Sequence, residues 1–253
     1  MSESILSCQD LRRDFRGFTA VDGFDLSVRD GSVHALIGPN GAGKTTVFNL
    51  LTRFLPVTSG TIRLRGEDIT RVPAEQVVRR GLVRSFQISA VFAHLSVLDN
   101  VCVALLERTG AIWQFWRPAM ALQAFEEEAH SHLHAFGLSD VARSSAGSLP
   151  YGRKRALELA TTLARDPAVL LLDEPTQGMG IEDVARTSDL IRQAAAGRTV
   201  LMVEHNLKVV SSLADTITVL ARGKRLAEGS YDEVSANPSV REAYLGHAGG
   251  GHG

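Results

Sequence analysis

Apolar positions along this chain follow two spacings. Ile5–Leu11 and Phe24–Val28 are short β-like runs, with Gly17 and Gly23 as the turns that join them. Val33-His34-Ala35-Leu36-Ile37 is mostly apolar, and after a glycine-rich stretch Val47, Leu50, Leu51 and Phe54 recur at helical spacing. Gly60-Thr61-Ile62-Arg63-Leu64-Arg65-Gly66 alternates like a half-exposed strand. From Val97 to about Phe136 the pattern is helical, with Glu126-Glu127-Glu128 as a solvated face. A second helix is drawn by Ala156, Leu157, Ala160, Leu163 and Ala164. Val169–Leu172, Val200–Val203 and Thr216–Leu220 are short apolar runs separated by helical segments. That alternation predicts an α/β fold with a largely parallel sheet and helices on both faces. No internal repeat or low-complexity linker divides the chain, and the glycine-rich tail is expected to be disordered.

Composition narrows the class. The 253 residues suffice for one large or two small domains. A formal net charge of −1 gives no basic field for nucleic acid. No apolar stretch approaches the roughly 20 residues that span a bilayer. Met1-Ser2-Glu3-Ser4 lacks the basic-then-apolar start of a secretory signal. Cys8 and Cys102 sit in apolar segments and are expected to be free, buried thiols. The expectation is a soluble cytoplasmic protein.

Chemistry enters at Gly38-Pro39-Asn40-Gly41-Ala42-Gly43-Lys44-Thr45, a complete G-x-x-x-x-G-K-[ST] loop between a strand-like and a helix-like run. Its glycines let the backbone turn N–H groups toward phosphate oxygens. Lys44 supplies a cation for the outer phosphates, and the Thr45 hydroxyl is a candidate Mg²⁺ ligand. The ligand class is therefore a nucleoside triphosphate. Downstream, Val169-Leu170-Leu171-Leu172 ends in Asp173-Glu174, carboxylates at the carboxyl edge of a parallel sheet. Asp173 is a candidate Mg²⁺ ligand, and Glu174 is placed to polarise an attacking water. A second buried run ends in Glu204-His205, which would set His205 beside the γ-phosphate as a hydrogen-bond donor. Gln87 follows Arg84-Ser85-Phe86; its neutral amide is a candidate to sense both Mg²⁺ and the attacking water.

Taken in order, the phosphate loop, Phe86-Gln87, Leu149-Pro150-Tyr151-Gly152, Leu172-Asp173-Glu174-Pro175 and Glu204-His205 resemble the nucleotide-binding subunit of ABC transporters. The resemblance covers essentially the whole chain. It is similar in particular to the ATPase subunit of branched-chain (hydrophobic) amino acid importers. The narrower match rests on Thr45-Thr46-Val47-Phe48-Asn49 with Arg84-Ser85-Phe86-Gln87, on the Leu-x-Tyr-Gly signature, and on the ending around Ala243-Tyr244-Leu245-Gly246.

The resemblance implies a P-loop NTPase (RecA-like) core with an antiparallel β subdomain and an α-helical subdomain over about 92–166. Residues 1–246 would form a single ABC ATPase domain, and 247–253 a disordered tail. It implies ATP and Mg²⁺ as cofactors, with each ATP held between the phosphate loop of one subunit and Leu149, Tyr151 and Gly152 of another. Phe15 sits where the family stacks adenine, with Phe18 the alternative. Gln87 would couple the site to the membrane subunit, Glu174 would be the general base, and Gly178-Met179-Gly180 would touch the opposite subunit. Partners implied are transmembrane permease subunits, a homodimer or a heterodimer with a second ABC ATPase, and indirectly a periplasmic substrate-binding protein. No nucleic acid is implied, and the chain would sit peripherally on the cytoplasmic face of the inner membrane. Rival cargoes are urea, amides and lipopolysaccharide, and a non-transport ABC ATPase is the other class.

Here the signature departs from Leu-Ser-Gly-Gly-Gln, with Pro150 in place of serine and Arg153 in place of glutamine. Proline is tolerated at a helix start. One of Arg153, Lys154 and Arg155 is a candidate for replacing the lost contact with positive charge; a solvated basic helix face is the other reading. His130 and His134 share a helical face without an evident third metal ligand and are expected to be surface residues. Trp113, Phe115 and Trp116 are expected either in a local core or in a docking patch.

Overall fold

The computed structural model describes residues 4–85, 91–109 and 125–245. It divides into two compact units, one made of residues up to 84, 168–177 and from 195 on, the other of 85–167 and 178–194.

The first unit holds two sheets. Strands β1 (Ser4–Phe15), β2 (Phe18–Arg29), β4 (Ser59–Leu64) and β5 (Glu67–Asp68) pair antiparallel in the order β2-β1-β4-β5. Strands β3 (Val33–Ile37), β6 (Leu82–Ser85), β7 (Val169–Asp173), β8 (Thr199–Val203), β9 (Thr216–Ala221) and β10 (Lys224–Gly229) form the second, in the order β10-β9-β3-β8-β7-β6. β9, β3, β8 and β7 run parallel, with β10 antiparallel on β9. Every residue of β7 and of β8 is buried, as unbroken apolar runs in a covered parallel sheet require.

The predicted Gly23 turn is a correction. β1 and β2 form one long hairpin that turns at Arg16-Gly17, and Gly23 lies inside β2 at φ +66°. It faces Asp10, itself at φ 48°, where the register of the two strands slips. Gly23 therefore supplies a bulge that twists the hairpin, not its end.

Helix α1 (Lys44–Leu51) is polar in its first turn, at the phosphate loop, and mostly apolar after it. Val47, Phe48, Leu50 and Leu51 share one core with Leu6, Phe24 and Ile62 of the first sheet and Leu36, Leu171 and Leu201 of the second. Each such side chain contributes about 2 kcal/mol of burial free energy. Helices α2 (Ala74–Arg79), α7 (Leu207–Leu213), α8 (Tyr231–Ala236) and α9 (Pro238–Leu245) complete this unit.

The second unit is helical: α3 (Val97–Thr109) packs on α4 (Glu126–Ala135) and on α5 (Tyr151–Ala164), and α6 (Ile181–Ala195) follows. Val101, Leu105, Leu133, Leu157 and Leu159 are fully buried there. Arg108 forks onto Glu128 at 2.8 and 3.0 Å, tying α3 to α4. Trp113, Phe115 and Trp116 lie outside the described residues. His130 and His134 are exposed, and among the described residues no cluster of metal-binding side chains forms. Cys8 and Cys102 are free and buried; burial pushes their thiols up to about 12 and about 11. Among the described residues no helix is long and apolar enough to cross a membrane.

Candidate nucleotide site

The loop between β3 and α1 is built by glycine for steric reasons. Gly38 and Gly43 take φ of +155° and +106°, and Gly41 takes +76°. A Cβ on Gly38 would lie 2.1 Å from the Leu220 carbonyl oxygen, and one on Gly43 2.6 Å from that of Ala20. Gly223 braces the loop from behind, its N–H donating to Ala42 O at 2.9 Å. Gly43 caps α1 without a side-chain bond, and no acid lies in the first turn. The amides of Thr45 and Thr46 therefore begin a helix whose positive end has no anion of its own, a place suited to phosphate.

Lys44 is buried at the mouth of this loop. Its Nζ donates to Gly38 O at 2.7 Å and Pro39 O at 3.0 Å. Desolvation lowers its pKa from the usual value, while the charges of Glu174 and Asp173 oppose that shift. The phosphate loop and the acid pair, far apart in sequence, thus converge on one edge of the sheet. Tyr244 of α9 reaches the same loop through a hydrogen bond with the Gly38 backbone, and burial pushes its phenol up to about 12.

Asp173 ends β7 and is 2% exposed. Its carboxylate accepts from Arg84 of β6, whose other terminal nitrogen donates to Asn49 of α1 at 2.7 Å. Arg84 also lies 5.8 Å from the centre of the Phe48 ring. This three-way contact joins the two segments that carried the narrower sequence resemblance. Glu174 follows at φ 47°, a strained setting for a residue with a side chain. Its Oε1 lies 2.6 Å from Nε2 of His205. The pairing can hold a water and move its proton, or fix the carboxylate until a substrate arrives.

Glu204, which the motif Glu204-His205 leaves without a role of its own, is buried and bonded on both oxygens. Oε1 accepts from the Thr176 N–H at 3.0 Å and from the Thr176 hydroxyl, and Oε2 from the N–H groups of His205 and Asn206 at 2.6 and 3.0 Å. Its signal in the sequence was an acid in a strand-end position where the adjacent residue already carried the chemistry.

Phe15 and Phe18 face each other across the hairpin end, 38% and 64% exposed. The Arg13 guanidinium covers one face of Phe15 at 4.6 Å, which leaves the other face for a base. Gln87 lies outside the described residues. Leu149, Tyr151 and Gly152 belong to the second unit: Leu149 is buried, Pro150 caps α5, and Tyr151 is 59% exposed. Of the three cations there, Arg155 is buried against Glu158 at 2.6 Å and Arg153 pairs with Asp140 at 2.7 Å. Lys154 makes no ion pair among the described residues.

The oxygen donors suit a magnesium ion. Thr45 offers an exposed hydroxyl and Asp173 a buried carboxylate, while no group of three acidic or imidazole ligands exists among the described residues. Magnesium in phosphate sites takes few protein ligands and relies on phosphate and water for the rest.

This loop, acid pair and histidine on a parallel sheet define a nucleotide-hydrolysing cassette, and residues 21–177 match the ABC transporter family. The chain belongs to that family and is an ATPase. A further match, over residues 224–249, is to the branched-chain amino acid ATP-binding cassette transporter family. The chain is 40% identical over 256 residues to the high-affinity branched-chain amino acid transport ATP-binding protein BraF of Pseudomonas aeruginosa, covering 98% of this chain and 100% of that one. It is 36% identical over 255 residues to LivG of Escherichia coli K12, a protein of the same description, with 98% and 100% covered. These relatives show the branch: the chain is one of the branched-chain amino acid type of ABC ATP-binding proteins. Among solved structures, an ATP-binding cassette in its ADP conformation superposes with a TM-score of 0.83 at 28% identity, over 97% of this chain and 100% of that one. A nucleotide-free cassette gives 0.82 at 28% identity, over 95% and 98%.

Proposed function

We propose that this chain is the ATP-hydrolysing subunit of an ABC importer for branched-chain or other hydrophobic amino acids. The cargo assignment is supported by end-to-end similarity to branched-chain amino acid transport ATP-binding proteins. The chemistry is supported chiefly by the 2.6 Å contact of Glu174 and His205 at the sheet edge where Lys44 feels both acids.

In this reading the amides of Gly41 to Thr46 cradle the phosphates, with Gly38, Pro39, Asn40 and Ala42 shaping the turn. Lys44 leaves its two carbonyl partners for the outer phosphates. Phe15 stacks on adenine from its uncovered face. Thr45 and Asp173 would hold magnesium, with Gln87 as a further ligand, and the ion would neutralise phosphate charge. Glu174 accepts the proton of the water that attacks the γ-phosphorus, ADP leaves, and His205 donates to the transferring phosphoryl group. Leu149, Tyr151 and Gly152 serve the nucleotide of a second ATPase subunit, like or unlike this one. Permease subunits at the inner (plasma) membrane are the partners driven, and a periplasmic binding protein delivers the cargo.

Glu174→Gln tests the core of this assignment. It should retain Mg-ATP binding by calorimetry while phosphate release falls by about a thousandfold. Near-normal release by that variant would remove Glu174 as the base. Cargo is tested in proteoliposomes with the permeases and binding protein, where leucine and not urea should stimulate hydrolysis.

A further inference from the structure

We infer that Glu204 is a positioning residue of the hydrolytic site: its carboxylate ties the turn after Glu174 to the turn bearing His205, and so sets the reach between those two side chains. The inference rests on the hydrolytic reading of Glu174 and His205.

β7 and β8 are in parallel register up to Asp173 and Val203, and Glu174 N–H still donates to Val203 O at 2.9 Å. Beyond that pair no ladder holds the chains together. One turn runs on through Pro175 and Thr176, and the other through His205 and Asn206 into α7, where the Asn206 side chain accepts from Lys208 N–H at 3.1 Å. Glu204 bridges them. One oxygen takes both donors of Thr176, and the other takes the backbone N–H of His205 and of Asn206. The side chain is 2% exposed, and no cation pairs with it among the described residues. The two turns supply the four donors that its oxygens accept from. A buried carboxylate is tolerable only when its lone pairs are filled this way.

The consequence is geometric. The His205 side chain is 39% exposed and so is not fixed by packing alone, and Glu174, 12% exposed, sits at φ 47°, a backbone setting that the adjoining turn has to hold. What both share is the Glu204 carboxylate, one bond from the His205 backbone and two residues from Glu174. A glutamine at 204 keeps the volume but presents an NH₂ to one pair of donors, and one of the two turns loses its anchor.

The test uses the full-length chain. Glu204→Gln should lower kcat about tenfold or more with KM for ATP within about twofold, since misplacement of a base by a fraction of an ångström acts on the transition state. In a His205→Ala background the same change should cost less than about twofold further. An equal loss in both backgrounds, or a kcat within about twofold of wild type, overturns the inference. Thr176→Val, which removes only the hydroxyl bond, should show the same coupling at smaller size if Glu204→Gln fails to fold. A second readout is independent of turnover: the imidazole ¹⁵N shifts of His205. Glu174→Gln should move them in the wild-type chain and leave them unmoved in the Glu204→Gln background. Equal movement in both overturns the clamp, whereas a wild type that binds Mg-ATP without hydrolysing it overturns only the functional reading.

Discussion

Arg84 contacts two partners at once, and its removal should be costly for what it leaves behind. Its side chain is 12% exposed and pairs with Asp173 at 2% exposure, while the same guanidinium donates to Asn49. Arg84→Ala strips the buried carboxylate of its counter-charge and the Asn49 amide oxygen of a donor. Breaking a buried pair from one side costs about 3–5 kcal/mol, and partial access of water puts this case near 3. Arg84→Lys should lose about 1–2 kcal/mol, because one ammonium cannot fork to both partners as the planar guanidinium does. Adding Asp173→Asn to Arg84→Ala removes the stranded charge and should recover more than half of the loss. Urea unfolding followed by far-ultraviolet circular dichroism measures all of these at one pH. A loss below about 1 kcal/mol for Arg84→Ala would refute the pairing as a structural device, as would a double variant no more stable than the single one.

Three further outcomes follow from particular positions. Burial pushes the His34 imidazole down to about 4, so the unfolded chain takes up a proton that the fold refuses. Stability from this group is complete above its usual pKa of 6.5 and declines as pH falls toward 4, by roughly 3 kcal/mol in all; His34→Gln should flatten that part of the pH–stability curve. Phe15→Ala should weaken nucleotide binding by about 1–3 kcal/mol in fluorescence anisotropy and Phe18→Ala by less; the reverse order would make Phe18 the stacker. Gly43→Ala meets both a left-handed φ and the Ala20 carbonyl, and should cost on the order of 2–3 kcal/mol in thermal unfolding together with loss of ATP binding.

In the basic run Arg153-Lys154-Arg155, helical period separates the buried cation from its neighbours. Arg155 and Glu158 share a helical face with Leu159 and Thr162, all buried, so the helical period already pointed that guanidinium inward. Gly23 is the opposite case: glycine between two apolar runs is compatible with a turn or a bulge, and only the slip in register between the two strands beside it decides between them.

Sequence alone located the central strands, α1 and the candidate groups: β7 and β8 by unbroken apolar residues, α1 by its spacing, the phosphate loop by its glycines and lysine, and the acid pair and His205 by strand-end position. These are local properties, carried by residue type and backbone period within a few positions. The tertiary structure decided who touches whom: Arg84 with Asn49 and Asp173, Glu204 with Thr176, Glu174 with His205. Such contacts depend on which strands become neighbours and in what register, and a chain segment carries no local record of a partner 28 to 89 residues away.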